Sequence, residues 1–232
     1  MIGKVLLEDP SPKVRAQAAL TLGRIKEDGS ADFLLKALKD EDPIVKGSAV
    51  KALGMLGAGG AFHDVCELAA EKDKFVSKWA AESARILVRY LKKLHFDINS
   101  LTADVDLMPD FAAKKYQESL LYEILKFPEY SIGKYYDFVE ENASNNGKVN
   151  EVVLKMSGAV VELALDDQEA TGKCGVTMSA VIENYGIHLG SGSESAQYEE
   201  TEEYTDEELV EHAINFTGGR IFRKFYEASL KK

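Results

Sequence analysis

The stretch DPSPKVRAQAALTLGRI, residues 9–25, returns 31 positions later as DEDPIVKGSAVKALGML, residues 40–56. The offset also aligns Asp9 with Asp40. Applying the same offset again gives a weaker third copy, which keeps Val76, Ala80 and Ala84 at apolar positions. The first part of the chain is therefore built from repeats. The pairs matched by the first step include Val14 with Val45, Ala18 with Ala49, Leu22 with Leu53 and Gly23 with Gly54.

Each copy is expected to contain two helices. In the first copy, Val14, Ala18, Leu22 and Ile25 recur at intervals of three and four, which indicates a helix with one buried face. A shorter apolar run precedes the main helix, as in ADFLLKAL and FHDVCELAA. A helix pair with a period in this range cannot bury its apolar face alone, so we expect the copies to stack as a solenoid.

The pattern D-P-x-V-R/K-x-x-A-x-x-A-L-G resembles that of the HEAT family, and more closely the short HEAT-like repeats named from phycobilisome lyases. The resemblance covers about residues 1–95, and the third copy departs from it at Ser77 and Arg85. Only Met1–Glu8 precede the first Asp of the pattern, so the first copy is expected to lack most of its leading helix. Self-association through this incomplete end is an open alternative.

Charge and composition restrict the partners. The formal net charge is −11; residues 1–100 carry 16 Lys and Arg against 14 Asp and Glu, and the remainder carries 12 against 25. Nucleic-acid binding is disfavoured, because a phosphate backbone requires a clustered positive surface. The longest apolar runs fall short of a membrane helix and no signal-peptide pattern opens the chain, so we expect a cytoplasmic protein without a membrane segment. Cys66 and Cys174 are expected to be buried, reduced thiols.

Residues 96–232 are expected to form a C-terminal domain, and the predicted fold class is mainly α. Helical spacing begins at Ala113, at Val149 and at Met178, and a capping-box pattern from Thr205 to Glu208 indicates a last helix. The competing interpretation makes NEVVLKM, AVVELAL and CGVTMSAVI strands of an α+β domain, because valine is frequent and the runs are short. The acidic segment at about 190–205 is expected to be a loop.

No catalytic residue, cofactor or metal is predicted. The four histidines, His63, His95, His188 and His212, show neither His-x-x-x-His spacing nor the His-Glu pairs of the HEAT-like enzyme deoxyhypusine hydroxylase. Bilin-lyase activity is not expected either, since in that family it belongs to longer repeat arrays.

Trp79 is the only tryptophan, and it aligns with Gln17 and Ser48, which lie off the buried stripe. We therefore expect it to face a protein or peptide partner, although packing against the C-terminal domain is an equal alternative.

The leading hypothesis is an adaptor that binds through the repeats. The alternative is a small enzyme or ligand-binding domain in residues 100–232, with a pocket lined by Glu183, Tyr185 and His188, which the repeats dock to its substrate. The candidate partner-binding residues are Thr21, Arg24, Lys51, Met55, Trp79, Glu82 and Ile86.

Overall fold

The computed structural model describes residues 1–27, 29–127, 130–132, 152–166, 171–199 and 205–232. The chain divides into two compact units, one built on Met1–Leu91 and the other on Lys92–Lys231.

The first unit consists of three helix pairs. In each pair a short helix of six to eight residues precedes a main helix of 14 residues. The short leading helix is present in the first pair as well, where Leu6 is fully buried, so the first copy does not lack it as expected. The pairs are α1 (Ile2–Glu8) with α2 (Pro12–Ile25), α3 (Ser30–Ala37) with α4 (Pro43–Leu56), and α5 (Phe62–Glu67) with α6 (Lys74–Leu87).

The starts of the main helices follow from their sequences. Pro12 and Pro43 occupy the first helical turn, where the missing N–H costs no hydrogen bond. Asp42 caps α4 by accepting a hydrogen bond of 2.8 Å from the Ile44 amide, and Asp73 caps α6 in the same way. A proline, a capping aspartate or both therefore mark where each main helix begins.

The main helices pack side by side at the repeated glycines. A Cβ on Gly23 would lie 2.8 Å from Cα of Ala52, and one on Gly54 would lie 2.7 Å from Oγ of Ser83. Only a residue without a side chain permits this approach of two helix backbones. The glycine of the repeat pattern thus sets the spacing between consecutive main helices.

A row of ion pairs connects the repeats at a second recurring position. Arg15 donates from Nε to Oδ2 of Asp40 at 2.8 Å and from Nη2 to Oδ1 at 2.9 Å. One repeat later, Lys46 donates to Oε1 of Glu71 at 2.7 Å. The third copy has Ser77 at the basic position, so the row cannot continue there in the same form. In the first two copies the basic residue is therefore paired with the acidic residue of the next copy.

The second unit is built on a mixed five-stranded sheet with strand order β2-β1-β3-β4-β5. β1 pairs in parallel with β2 and β3, whereas β3, β4 and β5 form antiparallel neighbours. The strands are β1 (Leu94–Ala103), β2 (Tyr130–Ile132), β3 (Val152–Asp166), β4 (Thr171–Ile182) and β5 (Ile187–Glu199).

Two helices cover one face of this sheet, and they also pack on each other: α7 (Pro109–Ile124) and α8 (Asp206–Phe225). Tyr116 is fully buried and donates from Oη to the Thr177 carbonyl at 2.8 Å. Leu154, Met156, Val176 and Ala180 are buried at alternate positions of β3 and β4. The core of this unit therefore lies between the sheet and the helices.

The mainly α prediction is wrong for the second unit, because the chain is α+β. The segments expected as helices from Val149 and from Met178 are strands, apart from residues 149–151, which lie outside the described part. Valine-rich runs that are buried on one face and partly buried on the other are more typical of a strand than of a helix with a single buried face. The competing strand interpretation is confirmed for all three of its segments where they are described, and β1 was not predicted at all.

The expected acidic loop at about 190–205 is a strand up to Glu199, and residues 200–204 lie outside the described part. This segment pairs with β4 from Ile187 to Glu199, although glycine is depleted in strands. The helix from Ala113 and the capping box at Thr205 are both confirmed. Thr205 Oγ1 accepts from the Glu208 amide, and Glu208 accepts from the Thr205 amide at 2.9 Å.

Candidate partner-binding face of the repeats

The side of α2, α4 and α6 that faces away from the repeat core forms one surface, which we call the repeat face. On α6 its residues are Phe75, Trp79, Glu82 and Ile86, whose spacing of four, three and four places them in one line along a helix. Lys51 and Met55 occupy the equivalent line on α4, and Leu20 and Arg24 occupy it on α2. Because the main helices lie side by side, these lines are neighbours.

Trp79 lies in the repeat face and is held there by two contacts. Nζ of Lys51 is 4.0 Å from the centroid of the indole ring, a cation–π geometry that joins α4 to α6. The ring of Phe75 meets the indole edge-on, with centroids 6.4 Å apart. Trp79 remains partly exposed. The indole is therefore fixed in position and still accessible from outside the first unit.

Several apolar side chains are exposed on α4 and α6, the two helices that hold Trp79 and Lys51. Ile44 is 52% exposed, Phe75 43% and Ile86 41%. Met55 on α4 is partly exposed as well. Single exposed apolar residues are common, but a group of them on adjacent helices is typical of an interaction surface.

The seven residues predicted from the sequence all lie on the three main helices, but they are not equivalent. Arg24 and Ile86 are exposed, and Met55 and Glu82 are partly exposed. Thr21 lies at the edge of the repeat face, because the equivalent residues of the next two repeats, Ala52 and Ser83, pack between the main helices. Its hydroxyl donates to the Gln17 carbonyl at 2.8 Å.

Sequence reasoning missed Ile44 and Phe75, the two exposed apolar residues at the start of α4 and α6. They lie one repeat period apart and therefore occupy the same repeat position. Phe75 lies over Gly47, where an added Cβ would overlap its ring. An apolar residue that recurs outside the buried stripe was the signal that could have identified them.

The charges of the first unit are segregated between elements. Helices α2, α4 and α6 carry eight Lys or Arg and one Asp or Glu, whereas the remainder of residues 1–91 carries six against twelve. Two of the eight cations, Arg15 and Lys46, are paired with Asp40 and Glu71. Arg15 holds the pKa of Asp40 below its ordinary value, chiefly through their hydrogen bonds.

The second unit contains a cavity of about 250 Å³ between β5 and α8. It exists because Gly190 and Gly192 face the helix without side chains, which leaves Met178, Ile221 and Phe225 as its apolar wall. At one end of the cavity Glu194 is buried and forms two ion pairs. One is with Lys224, and the other joins its Oε2 to Nη2 of Arg220 at 3.2 Å. The arrangement offers an apolar recess with a charged end.

The cavity is not lined by Glu183, Tyr185 or His188, the residues expected to line a pocket in this unit. Glu183 pairs with Nζ of Lys155 at 3.3 Å, and His188 is exposed on β5. Within the described ranges, no group of three His, Cys, Asp or Glu residues is placed to hold a metal ion. In that same part of the chain no helix is both long and apolar enough to cross a membrane.

Comparison with known proteins identifies the first unit and leaves the second unidentified. No curated protein matches the chain. Among solved structures, the PelC dodecamer from Paraburkholderia phytofirmans has 13% identity and a TM-score of 0.34, covering 61% of this chain and 89% of that one.

Two further solved structures are similar at the same level. The hypothetical protein CT253 from Chlamydia trachomatis has 9% identity and a TM-score of 0.38, with 58% of this chain and 94% of that one covered. A putative neuraminyllactose-binding hemagglutinin homolog from Helicobacter pylori has 17% identity and a TM-score of 0.37, with coverage of 59% and 82%. No functional conclusion follows from similarities at this level.

The model of the HEAT-repeat family matches residues 2–85, which contain all but the end of the three helix pairs. This part of the chain is therefore a region of HEAT repeats.

Proposed function

We propose that the protein is an adaptor that binds a protein or peptide partner through the repeat face. The observation that carries this proposal is the group of exposed apolar side chains around Trp79 on α4 and α6. Tryptophan and neighbouring apolar residues supply most of the binding energy in protein interfaces when they enter a pocket of the partner. HEAT repeats commonly mediate protein interactions, which agrees with this assignment.

The proposed binding mode uses an extended helical surface and no catalytic group. α6 contributes Phe75, Trp79 and Ile86 as anchors, and Lys51 holds the indole ready for contact, so little side-chain freedom is lost on binding. Arg24, Met55 and Glu82 lie around these anchors, and Thr21 contributes at the edge. The second unit supplies either a further contact or regulation.

Affinity capture with matched variants tests the proposal. The tagged full chain is compared with a Trp79→Ala, Ile86→Ala double variant and with a Leu7→Ala, Phe33→Ala double variant, in a lysate of the native cell. Leu7 and Phe33 are 38% exposed and lie on α1 and α3, away from the repeat face. The proposal predicts a protein that the native chain and the α1/α3 variant retain and the Trp79 variant loses. Equal capture by all three, with unfolding temperatures unchanged, contradicts it.

A second candidate function, ligand binding by the second unit, rests on the cavity between β5 and α8. An apolar recess with a buried charged end suits a small amphipathic molecule. Gly192 has no atom within 4 Å of an added Cβ, so Gly192→Leu is expected to fill the recess without strain. A thermal-shift screen of small amphipathic compounds is expected to give stabilising compounds for the native chain and none for this variant. Equal shifts for both chains place binding elsewhere.

A further inference from the structure

The charges of the main helices indicate which class of partner the repeat face binds. The three main helices carry seven more positive than negative charges, whereas the other elements of residues 1–91 carry six more negative than positive ones. The total charge of the chain is −11. Within the first unit, the excess of positive charge is therefore confined to the helices that also display the apolar anchors.

The ion pairs between repeats do not neutralise this surface. Arg15 and Lys46 bind Asp40 and Glu71, and the same helices carry further exposed cations at Lys13, Arg24, Lys74 and Lys78. Lys51 and Lys78 lie on the indole of Trp79, with Nζ atoms 4.0 and 5.8 Å from its centroid. Cationic and apolar groups therefore both lie beside the indole of Trp79.

We propose that the partner segment is an acidic peptide with apolar anchor residues. This inference rests on the proposed adaptor function and specifies its partner. Carboxylates of the peptide would pair with Lys51 and Lys78, and its apolar residues would contact Ile44, Phe75 and Trp79. Complementary charge of this kind raises the association rate and excludes basic competitors.

A nucleic acid would meet the same cations but fits the rest of the surface poorly. Ile44, Met55 and Ile86 offer aliphatic side chains, which neither stack on bases nor bind phosphate. The overall negative charge also opposes the approach of a polyanion, which a short peptide with few carboxylates experiences much less. Binding of single-stranded nucleic acid is therefore an outcome against the proposal.

Selection from a phage-displayed library of short random peptides, with the full chain as bait, tests the inference directly. The enriched peptides are expected to combine several Asp or Glu with aromatic or aliphatic residues. Synthetic copies, followed by fluorescence anisotropy, are expected to bind about tenfold more weakly when salt is raised from about 50 to about 300 mM, because the Debye length shortens. A labelled single-stranded oligonucleotide is measured in parallel.

A charge-reversal pair separates the repeat face from general attraction. Lys51→Glu with Lys78→Glu is expected to weaken peptide binding at least about tenfold. The control, Lys36→Glu with Lys39→Glu, makes the same change of charge at exposed positions at the end of α3 and just beyond it and is expected to leave binding within about twofold. Thermal unfolding of both variants shows that they remain folded.

The outcomes distinguish this inference from the proposed function. If the enriched peptides are neutral or basic but lose binding in Trp79→Ala, the acidic class is wrong and the adaptor function stands. If the oligonucleotide binds more tightly than any peptide, the partner class is wrong in the same way. If no peptide is enriched, or if enriched peptides bind Trp79→Ala normally, the repeat face is not the binding surface and both proposals fall.

Discussion

Removal of the Arg15 side chain tests how far the paired charges stabilise the stack of repeats. Arg15 makes two hydrogen bonds to Asp40 and one from Nη1 to the Asp9 carbonyl at 2.9 Å, and the two charged side chains are only 16% and 13% exposed. Exposed ion pairs contribute about 0–1 kcal/mol and breaking a buried pair costs about 3–5 kcal/mol. At this intermediate burial, Arg15→Ala is expected to cost about 2–3 kcal/mol.

The matched comparison is Lys46→Ala. Its pair with Glu71 has a single contact of 2.7 Å and greater exposure, 20% and 31%, so a cost of about 1 kcal/mol is expected. Urea unfolding followed by tryptophan fluorescence reports on the repeats alone, because the only tryptophan is Trp79. A double-mutant cycle with Asp40→Ala is expected to give a coupling energy of about 2 kcal/mol. A coupling below about 0.5 kcal/mol, or a smaller cost for Arg15→Ala than for Lys46→Ala, would show that the pair of Arg15 with Asp40 does not stabilise the stack of repeats.

The pH dependence of this pair has a definite sign. Hydrogen bonding to Arg15 lowers the pKa of Asp40 in the folded state. Its contribution to stability is therefore complete above the unfolded pKa of about 4 and is lost as the pH falls through the lower folded value. The coupling energy measured at pH 7 is expected to decrease only in acid.

Further consequences concern the second unit and the buried thiols. Gly158→Ala is expected to destabilise the second unit by about 1–3 kcal/mol, because the added Cβ would overlap the Thr177 carbonyl on β4, whereas Gly192→Ala is expected to change stability by less than about 0.5 kcal/mol. Urea unfolding followed by circular dichroism measures both, and equal costs would contradict the observed packing. Burial raises the pKa of the Cys66 thiol to about 12, so this cysteine is expected to react with a thiol reagent at pH 8 only after unfolding. Rapid labelling of Cys66 in the folded protein would show that the site opens.

The repeats were predictable because their physical constraints recur. Positions that must be buried, close-packed or charged return with a fixed period, as with Gly23 and Gly54 or Arg15 and Lys46. Repetition makes such a pattern visible in a single sequence. The prediction fails at Val14 and Ile25, which are exposed although they continue the apolar stripe of α2, whereas Val45, the equivalent of Val14, is buried.

The sheet was harder to predict because β3 begins with residues that are buried on both of its faces. In β3 the consecutive residues Val152, Val153 and Leu154 are all buried, which removes the alternation that identifies a strand. The runs from Val149 and Met178 then satisfy a helical spacing by chance. β-branched content was the better guide, and it supported the strand interpretation that was held as the alternative.

The partner-binding face was partly predictable. Trp79 drew attention because it occupies a position that is polar in the other copies, but the contact with Lys51 and the exposure of Ile44 depend on how the main helices pack. Neither follows from the spacing of residues along one helix. The segregation of charge between the main helices and the other elements is visible only once the helix bounds are known.

Site-specific photo-crosslinking in the native cell tests the adaptor function most directly. A benzophenone amino acid replaces Ile86 on the repeat face or, as the control, Leu7 on α1, two positions of similar exposure, 41% and 38%. The adaptor function predicts a discrete crosslinked protein from position 86 that is absent from position 7. Adducts from position 7 alone, or the same adducts from both positions, would contradict the assignment of the repeat face as the partner-binding surface.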